Sequence, residues 1–290
     1  MMPFDLVEPS SLAETFKLLD PDDPAVRPLA GGTALMLLMK SGLFRPKRLV
    51  SLRAAGDRLE RIRTEQDGAL RVGAMVRLAS LERSAELRRN FPVIGHTLRT
   101  LSNVRVRNVA TLGGHLAHAD PHSDLPPVLI ALDAQLVLAG PRGERTLSVD
   151  GFAAGLYETQ CKGDELIVEA VIPPVGRKRA AYLKCTTRSA DDWPALGVAV
   201  AWDDADGAIK SPRIVLGAAT ERPTRLKIAE DAIAGRTLDD ALVARAGAAA
   251  AEEADVVGDA RGSVAYKKQL VKVFVGRALR AAQARGGGAA

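Results

Sequence analysis

With 290 residues, 47% of them apolar, and a formal charge of +5 from 40 basic and 35 acidic side chains, the chain has material for a packed interior spread over two or three domains. No apolar run reaches bilayer-spanning length, and Met1-Met2-Pro3-Phe4-Asp5 lacks the basic-then-apolar pattern of a secretory leader, so a soluble, cytoplasmic protein is expected. The two cysteines, Cys161 and Cys185, exclude a disulfide framework and any Cys-x-x-Cys metal or cluster site, so an iron–sulfur centre would have to belong to a partner.

Ser11-Leu12-Ala13-Glu14 has capping-box spacing, and Leu12, Phe16 and Leu19 follow on one helical face, which predicts a short helix ending at Asp20-Pro21. A strand over Val26 to Leu29, a glycine turn, an apolar helix from Ala34 to Met39 closed by Gly42, and a strand over Arg48 to Leu52 make a small βαβ unit. Its helix is apolar all round and is expected to be buried. A boundary falls near Ala54 to Asp57.

The middle segment predicts a strand over Leu70 to Val76, helices over Leu78 to Leu87 and Val93 to Leu101, and a second glycine turn. Ser123 or Asp124 then caps a helix beginning at Leu125, with Pro126 and Pro127 in its first turn, where a missing N–H is harmless. Gln135 to Leu138 and Glu144 to Val149 flank Gly140-Pro141-Arg142-Gly143 as a hairpin, and the β-rich run Glu165 to Ile172 stops at Pro173-Pro174. The double proline and the basic Arg177-Lys178-Arg179 mark a second boundary.

Beyond it, Ala180 to Thr186, Leu196 to Trp202 and Arg213 to Ala218 predict three strands of an antiparallel meander, the last two joined by Asp203-Asp204-Ala205-Asp206-Gly207. Alanine-rich helices follow over about 225–234, 239–254 and 263–284, and Gly286-Gly287-Gly288 is expected to be disordered. The fold class is α+β in three parts, residues 1–55, 56–175 and 176–290.

Two stretches carry the chemistry: Leu29-Ala30-Gly31-Gly32-Thr33-Ala34-Leu35 and Thr111-Leu112-Gly113-Gly114-His115. A glycine pair lets the backbone present its N–H groups without a Cβ in the way, and a helix N-terminus behind it favours an anion. Two such turns converging would suit a pyrophosphate, and so FAD rather than FMN. Neither has the third glycine of the Gly-x-Gly-x-x-Gly fingerprint, and each is also compatible with an ordinary tight turn.

His115, His118 and His122 with Asp120 and Asp124 suggest a metal site, but Pro121 breaks the spacing that would align them, so a pH-sensitive loop is the favoured reading and no metal is expected. Basic residues are densest over Arg77, Arg83, Arg88, Arg89, Arg99, Arg105 and Arg107, interrupted by Glu82 and Glu86. With aromatics at 4%, stacking material for nucleic acid is poor, and a solvated or partner-facing helix surface is preferred.

The long stretch Thr111-Leu112-Gly113-Gly114-His115-Leu116-Ala117-His118-Ala119-Asp120-Pro121-His122-Ser123-Asp124-Leu125-Pro126-Pro127, with Ala30-Gly31-Gly32-Thr33 and Leu166-Ile167 leading into Pro173, closely resembles the FAD-binding medium subunit of the molybdenum hydroxylases, the family of carbon monoxide dehydrogenase and xanthine dehydrogenase. The resemblance covers essentially the whole chain. It implies a two-part FAD-binding domain of the vanillyl-alcohol-oxidase type, a small βαβ unit plus a larger α/β subdomain, followed by a three-stranded antiparallel sheet with a helical bundle.

It also implies that Leu29 to Leu35 (Leu29, Ala30, Gly31, Gly32, Thr33, Ala34, Leu35) and Thr111 to His115 wrap a non-covalent FAD through backbone N–H groups. Asp124 matches a carboxylate that contacts the flavin's sugar-like chain or phosphate surroundings, Leu101 and Ile167 match apolar contacts, Lys184 a basic contact, and Trp193 a side chain against the isoalloxazine ring. Read singly, Asp124 is equally an N-cap, Lys184 a solvated strand residue and Trp193 a hairpin cover. His115 departs from the Asp or Asn of many relatives, and the cysteine-rich insertion of the hydroxybenzoyl-CoA reductase branch is missing.

The implied activity is that of an oxidoreductase subunit in a heterotrimer, itself expected to pair into a dimer of heterotrimers. Two-iron two-sulfur clusters of a small subunit relay electrons from a large subunit with the molybdopterin cofactor, and the flavin passes them to an external acceptor. No side chain of this chain is then required as nucleophile or general acid. The alternatives are a self-sufficient FAD-dependent oxidase or dehydrogenase of the same fold, and a non-enzymatic basic adaptor or nucleic-acid binder.

Overall fold

The computed structural model describes residues 3–285, so the glycine tail expected to be disordered lies outside the described residues. Near the N-terminus, β1 (Asp5–Val7), α1 (Leu12–Leu18), β2 (Val26–Leu29), α2 (Thr33–Lys40) and β3 (Arg48–Ser51) build a parallel sheet in the order β1-β3-β2. The Ser11 hydroxyl accepts from the Glu14 N–H at 3.2 Å, whereas the Glu14 carboxylate turns back to the N–H of Ser10, one residue before the cap.

Helix α2 is not buried as its uniformly apolar sequence suggests. Only Met39 is buried and Leu37 is 68% exposed. The reason is geometric: strands of three or four residues make a sheet too small to surround a helix, and the other face of that sheet is already occupied. Val26, Val50 and Leu52, with α1, share a cluster with Val137, Ala139, Leu166 and Val168 of the next sheet.

That next sheet has the order β4-β5-β10-β6-β7. Its first strands are β4 (Ile62–Thr64) and β5 (Leu70–Gly73); a helical run follows, comprising α3 (Leu78–Arg83), α4 (Ala85–Asn90), α5 (Pro92–Thr100), α6 (Val104–Arg107), α7 (Leu112–His118) and α8 (Leu125–Ala131). The predicted Leu78 to Leu87 helix is two helices, because Ser84 leaves helical geometry and its hydroxyl caps α4 by accepting from the Leu87 N–H. β6 (Gln135–Gly140) and β7 (Gly143–Ser148) form the expected hairpin; β8 (Ala153–Gly155) and β9 (Glu158–Thr159) make a small ribbon, and β10 (Leu166–Ile172) returns to the centre.

β10 is buried on both faces, which accounts for its unbroken apolar run. A bulge between Ile167 and Glu169 switches its alternation. Leu166 and Val168 therefore face the N-terminal unit, while Ile167, Ala170 and Ile172 join the main core beneath the helices. The one acid in the run, Glu169, is buried and meets Arg58 at 2.7 Å, Arg71 at 3.2 Å and Arg63 at 3.4 Å.

In the C-terminal part, β11 (Lys178–Cys185), β12 (Leu196–Ala205), β13 (Ala208–Gly217) and β14 (Thr224–Arg225) give four antiparallel strands where three are predicted. The extra one is two residues long, too short for periodicity to register. Asp206 and Gly207, both with positive φ, close the β12–β13 turn more tightly than the five-residue loop expected. One face of the sheet puts Tyr182, Ala199, Ala201 and Val215 into the main core with α8; the other packs on α9 (Lys227–Ile233) and α11 (Val264–Arg285), which α10 (Asp240–Glu253) covers in turn. Gly217 permits the first contact, since a Cβ there would lie 2.7 Å from Pro127 Cγ.

The Glu169 side chain is 3% exposed, but its arginine partners are 31–46% exposed and keep Glu144 or Glu65 as a second carboxylate, so Glu169→Ala is expected to lower stability by about 1 kcal/mol, read from the urea midpoint. Burial disfavours the Glu169 carboxylate, but the hydrogen bond and charge of Arg58, with Arg63 and Arg71, hold it below its ordinary value. Its contribution is therefore full above the ordinary carboxylate range and is lost as pH falls through the folded-state value. Urea midpoints between pH 7 and 3 should show a shallower acid decline in the variant than in the parent; parallel declines would contradict the assignment.

Candidate functional site

The loop from Ala30 to Gly32 joins β2 to α2, and Gly32 occupies the N-cap position with φ 71° and ψ 0°, a left-handed conformation that favours glycine. No side chain caps α2. Its first internal bond is from the Met36 N–H to the Gly32 carbonyl, and the N–H groups of Thr33, Ala34 and Leu35 have no acceptor among the described residues. They sit at the positive end of an eight-residue helix, with no acidic side chain in its first turn.

The second glycine pair is not a turn. Thr111 is the N-cap of α7, and Gly113 and Gly114 lie inside its first turn. The amides expected to bind an anion there are already engaged: Leu112 donates to Val76 O at 2.9 Å, Gly113 to Ala74 O at 2.8 Å, Gly114 to the Thr111 hydroxyl at 3.2 Å and His115 to Thr111 O at 2.9 Å. Gly113 is required by packing, since a Cβ would lie 2.6 Å from that of Ala74. The N–H groups of the second loop are thus taken within the chain, whereas open N–H donors belong to the first.

The two loops touch. A Cβ on Gly31 would stand 2.2 Å from Val109 O, and one on Gly114 would stand 3.4 Å from Ala30 Cβ. Leu101 and Ile167 are buried in the same apolar cluster as Leu112 and Leu116 of α7.

Asp124 and Lys184 meet each other, 2.9 Å apart and both almost wholly buried. Asp124 does not cap α8 with its side chain; its second oxygen accepts from the Tyr182 hydroxyl at 2.5 Å. Lys184 donates in addition to Thr100 O and Asp192 O, so its three protons are all used within the chain. Burial pushes the Asp124 carboxyl above its ordinary value, against the pull of Lys184 and Tyr182. These groups tie α8, the end of α5, β11 and the loop before Trp193 into one junction. The Tyr-x-Lys spacing, which puts both side chains on one face of a strand, was the available signal for Tyr182.

Trp193 is 48% exposed. Its indole stacks on the His122 ring, with centroids 5.3 Å apart and planes at 13°, and lies under the Arg261 guanidinium. His122 bridges Asp120 at 3.1 Å and Asp259 at 3.2 Å; the buried Lys267 also reaches Asp259, at 3.0 Å. Burial would raise the Asp120 carboxyl, but the side-chain and backbone hydrogen bonds from His122 bring it below its ordinary value. Asp259, Arg261 and Lys267 carry no sequence signal, because only the fold brings them beside the histidines. No group of three or more His, Cys, Asp and Glu side chains among the described residues is arranged to hold a metal.

His115 supplies a second test of fit. Its Nε2 is buried with no hydrogen-bond partner among the described residues, and burial, with His118 nearby, lowers the ring to about 4, so it is neutral at physiological pH. An anionic diphosphate fits the open amides of α2, and a polar ligand atom fits the orphan nitrogen.

A family model described as the FAD binding domain in molybdopterin dehydrogenase matches residues 2–175, and one described as the CO dehydrogenase flavoprotein C-terminal domain matches residues 181–282. The chain belongs to this family. The glyceraldehyde dehydrogenase medium chain of Sulfolobus acidocaldarius is 29% identical over 96% of this chain and 97% of its own length. The nicotine 6-hydroxylase medium subunit of Paenarthrobacter nicotinovorans is 31% identical over 96% of each. A chain of the carbon monoxide dehydrogenase structure from Hydrogenophaga pseudoflava superposes with a TM-score of 0.93 at 33% identity, over 98% of this chain and 99% of that one. The cofactor is accordingly FAD, and the protein is an oxidoreductase subunit with an FAD-binding domain and a C-terminal flavoprotein domain. No helix among the described residues is long and apolar enough to cross a membrane.

Gly31→Ala is expected to push the first loop off Val109 and to yield protein purified with less than a tenth of the parent's flavin absorbance, with the circular dichroism of a folded chain. Gly95→Ala, inside helix α5 where a Cβ meets nothing closer than Leu87 Cδ2 at 3.4 Å, should retain the flavin. Full occupancy in Gly31→Ala would contradict the two-loop site.

Proposed function

We propose that the chain is the electron-transfer subunit of a cytoplasmic, heterotrimeric molybdenum hydroxylase, in which an iron–sulfur small subunit and a molybdenum large subunit complete the enzyme and the trimer pairs with a second copy. The reading is carried by likeness along essentially the full length to medium chains of dehydrogenases and hydroxylases whose names specify quite different substrates. A component kept while the substrate changes is one that serves the electrons, and the substrate is then chosen elsewhere.

Bound FAD supplies the redox chemistry, collecting electrons singly and releasing them to an external acceptor. The chain holds, orients and shields. The N–H groups of Thr33, Ala34 and Leu35 hold the diphosphate, each charge-assisted hydrogen bond contributing about 1.5–3 kcal/mol. Gly31, Gly32, Gly113 and Gly114 leave room for it, with the Thr111 hydroxyl alongside.

Leu101 and Ile167 supply an apolar wall. The Asp124–Lys184 junction fixes the loop that carries Trp193, whose half-exposed indole, with His122 and Arg261 against it, would stand beside the ring system and restrict water. Residues 1–55 and 56–175 act as two halves of the cofactor clamp and 176–290 as its backing. No side chain is assigned as nucleophile or general acid.

Purification of the complex from its native source tests this. The expected preparation contains this chain with two other polypeptides, FAD, molybdenum and about four irons per trimer for two two-iron clusters, and the isolated chain does not oxidise organic substrates. A chain purified alone that turns over an organic substrate would establish the self-sufficient oxidase instead.

A further inference from the structure

We propose that the face built by α3 to α6 docks an acidic one-electron carrier protein, the external acceptor to which the flavin's electrons pass. The inference rests on the electron-transfer reading above and adds the class of acceptor.

The observation is a run of unpaired arginines in one helical segment; arginines without an ion-pair partner also occur elsewhere among the described residues, as at Arg53, Arg222 and Arg245, but the segments on either side of this run are paired throughout. From Arg58 to Arg71 and from Arg142 to Arg188, every arginine is within ion-pair distance of a carboxylate: Arg58, Arg63 and Arg71 on glutamates, Arg61 on Asp57, Arg142 and Arg145 on Asp164 and Glu165, and Arg177, Arg179 and Arg188 on aspartates. Between them, Arg77, Arg83, Arg88, Arg89, Arg99 and Arg105 are all exposed, and none has an ion-pair partner among the described residues. The nearby Glu82 is taken by the buried Arg107 at 2.9 Å, which leaves Glu86 as the exposed acid of the segment. Helices α3 to α6 pack on one another, so these exposed arginines are carried by one helical subassembly.

The region borders the cofactor site. Arg77 pairs with Thr111 in an isolated antiparallel bridge, Leu101 links α5 to α6, and Val109 follows α6 and abuts Gly31. An open cleft of about 420 Å³ beside it is lined by Arg99, Asn103, Val104 and Asp191. A carrier seated here would stand close to the flavin.

The character of the face selects a transient acidic protein. Permanent subunit contacts are apolar and depleted in charge at their centres, whereas brief redox encounters are small and electrostatically steered. Here Val104 and Val109 are exposed among arginines. Nucleic acid is disfavoured because the segment's one aromatic side chain, Phe91, is buried and unable to stack on a base. For each two-electron oxidation, two carrier molecules are reduced by one electron each, and the protons of the reduced flavin pass to water.

The test uses the flavin-loaded chain, reduced stoichiometrically with dithionite and mixed in a stopped-flow instrument with an acidic blue copper protein, a basic c-type cytochrome, or neutral benzoquinone. With the parent, oxidation by the acidic carrier should slow at least about tenfold between 20 and 300 mM salt, since steering raises on-rates by about 10–10³ and is screened. Arg83→Glu/Arg88→Glu/Arg89→Glu should cut the low-salt rate with the acidic carrier at least tenfold, raise that with the cytochrome, and leave benzoquinone unchanged. Arg83→Gln/Arg88→Gln/Arg89→Gln should fall between parent and triple glutamate.

An unchanged rate with the acidic carrier would overturn the docking face. So would submicromolar binding of a single-stranded oligonucleotide at 150 mM salt, lost in the triple glutamate variant, which would mark a nucleic-acid surface. A reduced flavin oxidised by none of the three acceptors would overturn the electron-transfer reading itself.

Discussion

The close approach of Gly31 to the Val109 carbonyl is the contact on which the proposed cofactor site depends. It joins a loop of the small parallel sheet to the segment that enters α7, and no side chain larger than hydrogen fits between them. Each partner is fixed independently. The first loop is held by the parallel pairing of β2 with β3, and the second by hydrogen bonds to Val76 and Ala74 at the end of β5.

A division of labour follows. The amides of Leu112, Gly113, Gly114 and His115 are engaged in building the floor, so those of Thr33, Ala34 and Leu35 remain for an anion. A site made in this way is rigid before the ligand arrives, which limits the ordering cost of binding. Its orphan atom, His115 Nε2, lies in the same floor.

Much of this was legible in the sequence. Glycine pairs mark close backbone approach whatever the fold, and the seventeen-residue stretch from Thr111 to Pro127 has a specific family likeness. The illegible parts share one cause, dependence on distant neighbours. Whether Gly113 and Gly114 turn or continue a helix is decided by Ala74 and Val76. Whether α2 is buried is decided by the size of its sheet. Read singly, Asp124 is a cofactor contact or an N-cap and Lys184 a cofactor contact or a solvated strand residue; that they pair with each other, 2.9 Å apart, is set by the fold alone. β1, β4, β8, β9 and β14 have two or three residues each, below the length at which alternation can be read, and the β10 bulge inverts alternation midway.

Hydrogen exchange at single backbone amides, compared between the flavin-loaded and flavin-free chain, tests the division of labour directly. The N–H groups of Thr33, Ala34 and Leu35 should exchange rapidly without flavin and become protected with it, while those of Leu112, Gly113, Gly114 and His115 are protected in both. Protection gained only at Leu112 to His115, with Thr33 to Leu35 unchanged, would contradict the account.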